Sequence, residues 1–217
     1  MGGSYGEEQQ EEIKTIKPRL LSIKLSDADV KRIFEKAGSC GLTVGELLEN
    51  FIGDLVDGTF SNGSDERMYA QEWFERCGFE RQAEYTFLRY LLESTNGVQE
   101  AVDAWENIKA SEKTVVDMKK SLASGVMQRN DKEYTWKDLL NGAGKPAYSC
   151  REEWEQEVRS GIQTEEAYIA GNREDIDGYW QDYLAQLTEY KPGSLEEEMR
   201  RVLVYWKEYQ RVLGETH

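Results

Sequence analysis

The chain has 217 residues, enough for one or two domains with a sizeable core, and its formal net charge is -15. Its single histidine is the last residue, His217, which excludes histidine-based acid-base, nucleophilic and metal chemistry from a folded site. No run of about 18 apolar residues and no basic leader before an apolar stretch is present, so the expectation is a soluble, cytoplasmic chain that neither spans nor anchors to a membrane.

In chain order, residues 1–12 are rich in Gly, Glu and Gln and read as a disordered tail. Leu21, Ile23 and Leu25 then alternate with Leu20, Ser22 and Lys24, the period-two pattern of a half-buried strand. Ser26 caps a helix with an apolar stripe of Val30, Ile33, Phe34 and Ala37, broken at Gly38, Ser39 and Gly41. Thr43 opens a second helix, with Glu46 at the reciprocal capping-box position and Leu47, Leu48, Phe51, Ile52 and Leu55 on one wide face. One strand leaves both edges unpaired, and two short helices cannot bury their stripes alone. The unit at residues 13–57 therefore needs a partner, and a second copy of its own strand is the simplest one.

The run L-x-I-x-L-S, a helix, and then G-L-T-x-x-E-L before a second helix resembles the ribbon-helix-helix superfamily of small dimeric DNA-binding proteins. That resemblance implies a homodimer whose two strands pair antiparallel and enter the major groove of duplex DNA. Leu20, Ser22 and Lys24 would then face the bases, and the backbone at Thr43 and Val44 would hold a phosphate. Leu20 and Gly45 depart from the polar residues usual at those positions.

After Val56 the run DGTFSNGSDER, with its Asn62-Gly63 turn, reads as a loop. Helical periodicity follows at Met68, Trp73 and Phe74, at Ala83, Phe87, Tyr90 and Leu91, and at Val98, Val102, Trp105 and Ile108, the last helix running to about Leu122. Gly125, Trp136, Leu139 and Leu140 mark a weaker stretch before the loop NGAGKPAY. Ser149 with Glu152 predicts a helix bearing Trp154 and Val158. Asn172 predicts the start of another bearing Ile176, Trp180, Tyr183, Leu184 and Leu187, ended by Pro192 and Gly193. Ser194 with Glu197 caps a last helix carrying Met199, Val202, Leu203, Trp206 and Val212. Trp105, Trp154, Trp180 and Trp206 are expected in the core. The predicted fold is mainly α: the ribbon-helix-helix-like unit, a helical region over 64–145 and an acidic helical region over 146–217.

Little in this pattern supports catalysis, so no catalytic residue, cofactor or metal is expected. The stretch Gly142 to Pro146 resembles half of a phosphate loop, but Leu139 stands for its leading glycine and Pro146 for its Ser or Thr, leaving a plain loop. The carboxylates at Glu152, Glu153, Glu155 and Glu157 and at Glu196 to Glu198 point to different sides of their helices and read as solvated faces. Cys40, Cys77 and Cys150 are too scattered for a zinc site or a disulfide framework and read as small buried or half-buried groups.

Charge is segregated instead. Residues 13–56 hold seven basic and six acidic side chains, whereas residues 146–217 hold 8 basic and 16 acidic ones. Within the latter, Asp175, Asp177, Tyr179, Asp182, Tyr183, Glu189, Glu197, Tyr205, Glu208 and Tyr209 place aromatic anchors among carboxylates spaced roughly 5 to 6 Å along a helix. A line of that kind opposes a basic groove built for a nucleic-acid backbone. The expected function is thus a non-enzymatic inhibitor that occupies the basic groove of a nucleic-acid enzyme such as a nuclease. In this it resembles acidic anti-CRISPR and other DNA-mimic proteins of phages and mobile elements. The alternative is a ribbon-helix-helix regulator or antitoxin whose helical part binds an effector or toxin.

Overall fold

The computed structural model describes residues 5–79, 83–129, 132–140, 148–188 and 190–214. In order the elements are α1 (Tyr5–Lys14), α2 (Asp27–Ser39), α3 (Val44–Leu55), α4 (Ser64–Cys77), α5 (Phe87–Leu92), α6 (Gly97–Ser124), β1 (Val126–Arg129), β2 (Lys132–Thr135), α7 (Trp136–Leu140), α8 (Arg151–Gln186) and α9 (Leu195–Leu213). The fold is mainly α, and none of these helices is long and apolar enough to cross a membrane. Two compact units result, residues 1–84 with 209–217, and residues 85–208.

In the first unit the caps stand where the sequence placed them. Ser26 is extended and its Oγ accepts from the Asp29 amide at 3.1 Å. Thr43 Oγ accepts from the Glu46 amide at 3.2 Å while the Glu46 carboxylate accepts from the Thr43 amide at 2.7 Å, a complete capping box at the start of α3. Two expectations fail. Residues 5–14 are helical rather than a disordered tail, because Glu and Gln are good helix formers and Lys14 pairs with Glu11 one turn earlier. Residues 16–26 form no strand, because a strand must hand its amides and carbonyls to a neighbour and a single copy of the chain supplies none. The only strands among the described residues are β1 and β2.

Arg19 instead donates to the carbonyls of Val212 and Leu213, and Arg211 donates to the Leu20 carbonyl at 3.4 Å. The side chains beyond stand in solvent: Leu20 is 85% exposed, Leu21 60% and Ile23 62%. Among the described apolar side chains of this unit, only Ala37 and Ala70 are buried. Phe51 meets Trp73 edge-on at 5.6 Å, which seats α4 against α3.

The second unit holds both hydrophobic cores. Ion pairs and hydrogen bonds run from Glu100 with Tyr179, through Glu112 with Arg173, to Lys119 with Glu166, so α6 and α8 are antiparallel. One core joins Ala104, Ile108 and Val115 of α6 to Trp154, Val158, Ile162, Ile169 and Ile176 of α8. The other joins Phe87, Leu91, Val98 and Val102 to Tyr183, Met199 and Val202. Trp154 is fully buried, while Trp105, Trp180 and Trp206 are half-buried.

The helix break predicted at Asn172 does not occur. Ile162, Ile169, Ile176 and Tyr183 recur every seven residues across it, so the α6 contact keeps α8 in register through Gly161, Gly171 and Gly178. Its first turn is also shifted by one residue, with Glu153 rather than Glu152 accepting from the Ser149 amide at 2.7 Å. α6 stops at Gly125, whose φ of 70° suits glycine, and the β1–β2 hairpin follows, pairing Met127 with Tyr134.

All three cysteines are free and exposed, against expectation, because each sits at a helix end: Cys40 after α2, Cys77 closing α4 and Cys150 before α8. The stretch Gly142 to Pro146 lies outside the described residues.

Candidate functional site

Outside the positions packed into the two cores, α6 and α8 face solvent, and these positions carry the acidic residues. Two hollows of about 1060 and 650 Å³ open on opposite sides of the helix contact, the first beside the Glu112–Arg173 pair and the second beside the Tyr179–Glu100 bond, and Glu174 and Gly178 border both. The first runs from Glu166 to Gln181 on α8, roughly 22 Å at the helical rise of about 1.5 Å per residue. The first is lined by the carboxylates of Glu112, Glu166, Glu174 and Asp177 with one cation, Arg173, and the second by those of Glu100, Asp103, Glu174, Asp175 and Asp182. Arg173 is itself committed to Glu112 at 2.7 Å, and Lys119, about two turns further along α6, pairs with Glu166 at 2.8 Å. Burial alone would raise the Glu112 carboxyl, but the bonds from Arg173 and Lys109 outweigh it and hold the group below its ordinary value. The floor of the first hollow is apolar, with Val115 and Ile169 buried and Val116 half out in solvent at 50%.

Of the predicted residues, Asp177 lines the first hollow and Asp175, Tyr179 and Asp182 line the second. The three aspartates are exposed and make no ion pair among the described residues. Tyr179 donates to Glu100, and that bond, with burial second, pushes its phenol up to about 12.

The other predicted residues lie elsewhere. Tyr183 is a core residue rather than a surface anchor: it is fully buried, its hydroxyl donates to the Tyr85 carbonyl at 2.8 Å, and burial raises its pKa. Tyr205 is half-buried against the second core, and Glu197 caps α9 by accepting from the Ser194 amide at 3.0 Å. Glu208 and Tyr209 are exposed near the end of α9, and Glu189 lies outside the described residues. Sequence reading missed the α6 side of both hollows, Glu112 in the first and Glu100 and Asp103 in the second. Its only local signal was the set of acidic residues between the apolar positions of that helix.

In the first unit, Leu20, Ser22 and Lys24 are all exposed on the extended segment. At Thr43 and Val44 the helix N-terminus is already served by an anion, since the Thr43 amide donates to Glu46. A phosphate there has to displace that carboxylate. Among the described residues no group of three or more His, Cys, Asp or Glu side chains is placed to hold a metal ion. No protein-family model, curated protein or solved structure matches the chain.

Proposed function

We propose that the chain is a non-enzymatic regulator that pairs with a second copy through residues 20–25, binds duplex DNA with that pair, and uses its helical body to bind a protein. The observation that carries this reading is the exposure of Leu20, Leu21, Ile23 and Leu25 directly before two well-capped helices, in a unit whose only buried apolar side chains among the described residues are two alanines. An antiparallel ribbon of two such segments satisfies their backbone groups and covers Leu21, Ile23 and Leu25 on one face, leaving Ser22 and Lys24 on the other. Selection from a random duplex library tests it. The expected result is one palindromic sequence whose binding weakens by about 1–3 kcal/mol in Lys24→Ala. Binding without sequence preference, or none, contradicts it.

The second reading is the acidic inhibitor of a nucleic-acid enzyme, and what favours it is the unpaired state of Asp175, Asp177 and Asp182. Filling a basic channel calls for one continuous ridge of carboxylates, whereas Asp177 stands on the opposite side of α8 from Asp175 and Asp182, which is why the regulator is preferred. Salt-sensitive capture of a nuclease by the purified chain, with no duplex binding, reverses that preference.

A further inference from the structure

Where the C-terminal half of α6, the β1–β2 hairpin and the N-terminal part of α8 meet, a third hollow of about 980 Å³ opens. That size lies within the range of about 300–1,000 Å³ usual for small-molecule sites. Gly161 contributes no side chain to it, and the Met118 thioether lies over that glycine, its methyl 3.2 Å from where a Cβ would stand. The apolar lining is Met118, Met127, Val158 and Tyr148, the last two buried. Two methionines beside a tyrosine make an adaptable wall, because thioethers turn about three bonds and favour contact with aromatic rings.

The charge at this hollow is not balanced as it is beside Arg173. Lys120 pairs with Asp117 at 3.3 Å, whereas Glu157 meets only the Tyr148 hydroxyl, a neutral donor, at 3.0 Å. A carboxylate with no cation on it among the described residues therefore borders the methionine wall.

We propose that this hollow binds a small arylalkylamine, with its aromatic ring against Met118, Met127 and Tyr148 and its ammonium toward Glu157. A neutral aromatic molecule leaves Glu157 uncompensated, and an aromatic acid brings it a like charge. An aliphatic amine carries no ring for the thioethers. The site uses none of residues 20–25, so the inference goes beyond the DNA-binding reading and stands or falls independently of it.

The probe is tryptamine, protonated at pH 7, compared with indole-3-propionate, which carries the same ring and the opposite charge. Both are titrated into the full chain while the methionine methyl resonances are followed, with Met118→Leu and Met127→Leu providing the assignments. Tryptamine is expected to shift the methyls of Met118 and Met127, while Met68 in the first unit and Met199, fully buried in the second core, stay in place. It should bind at least about fivefold more tightly than the acid, the range of one exposed ion pair. Glu157→Gln keeps an acceptor for Tyr148 and should remove most of that preference, while Glu174→Gln, which borders the other two hollows, should leave it intact. Glu157 is exposed, so its substitution spares the core. Absence of shifts at Met118 and Met127 overturns the proposal, as do shifts of equal size at Met68, which mean general attachment to exposed apolar side chains. Equal binding of the acid overturns it too, and so does a preference for the amine that Glu157→Gln leaves unchanged.

Discussion

At Gly53 a single methyl decides whether the loop after α3 can close. A Cβ there falls 2.7 Å from the Phe60 carbonyl carbon and 2.8 Å from the Ser61 nitrogen, both backbone atoms that cannot swing away. Gly53→Ala is expected to destabilise the first unit by about 1–3 kcal/mol, read as a lower urea midpoint. In Gly171→Ala, where an added Cβ meets nothing, the sign should reverse, because alanine gains about 0.5–1 kcal/mol over glycine within a helix. Glu198 is the other residue on which much depends. Fully buried on α9, it accepts from the Phe87 amide at 3.2 Å, at the start of α5, while its second oxygen lies 3.0 Å from Arg201 outside hydrogen-bonding geometry. Glu198→Ala strands that amide and should cost about 1–3 kcal/mol, and Glu198→Gln, which keeps an acceptor, should cost less. The tyrosines give a pH signature. Tyr85, through burial and then its bond to Glu93, and Tyr179, through its bond to Glu100 and then burial, both hold their protons up to about 12 against an ordinary value of 10. Their contribution to stability is whole below pH 10 and is lost as pH rises from there through about 12, with the phenolate absorbance appearing late.

At the scale of elements, what was legible in the sequence was local. The caps at Ser26, Thr43 and Ser194 each depend on residues three apart, and all three hold. Thr43→Ala should cost about 1 kcal/mol by removing one arm of the capping box. The partner carboxylate, Glu46, is held below its ordinary value of 4.5 by bonds from Thr43, so its support for α3 is present above that pH and lost as pH falls through the lowered value. What was not legible depended on distant partners. The break expected at Asn172 vanished because α6, some 65 positions away in the chain at the Asn107 to Asn172 bond, supports α8 through its glycines. The β1–β2 hairpin was missed because four-residue strands carrying Lys132 and Glu133 show little alternation. The α8 side of the two hollows could be read from its aspartates, whereas the α6 side required the pairing of the two helices. Tyr183 was misjudged for the same reason, since its seven-residue spacing from Ile176 matters only once α8 is continuous.

For the whole molecule, the contrast lies between a unit of residues 85–208 with two hydrophobic cores and a first unit with almost none. The exposed extended segment bearing Leu21, Ile23 and Leu25, beside helices bearing Phe34, Phe51 and Ile52, is the apolar surface that the proposed pairing of two copies would cover. Sedimentation equilibrium of the full chain against Ile23→Asp tests this most directly. The account predicts twice the 25.1 kDa chain mass for the native protein and the single-chain mass for the variant, with the helical circular dichroism of residues 85–208 retained. A native protein that stays at 25.1 kDa at every concentration tested contradicts it.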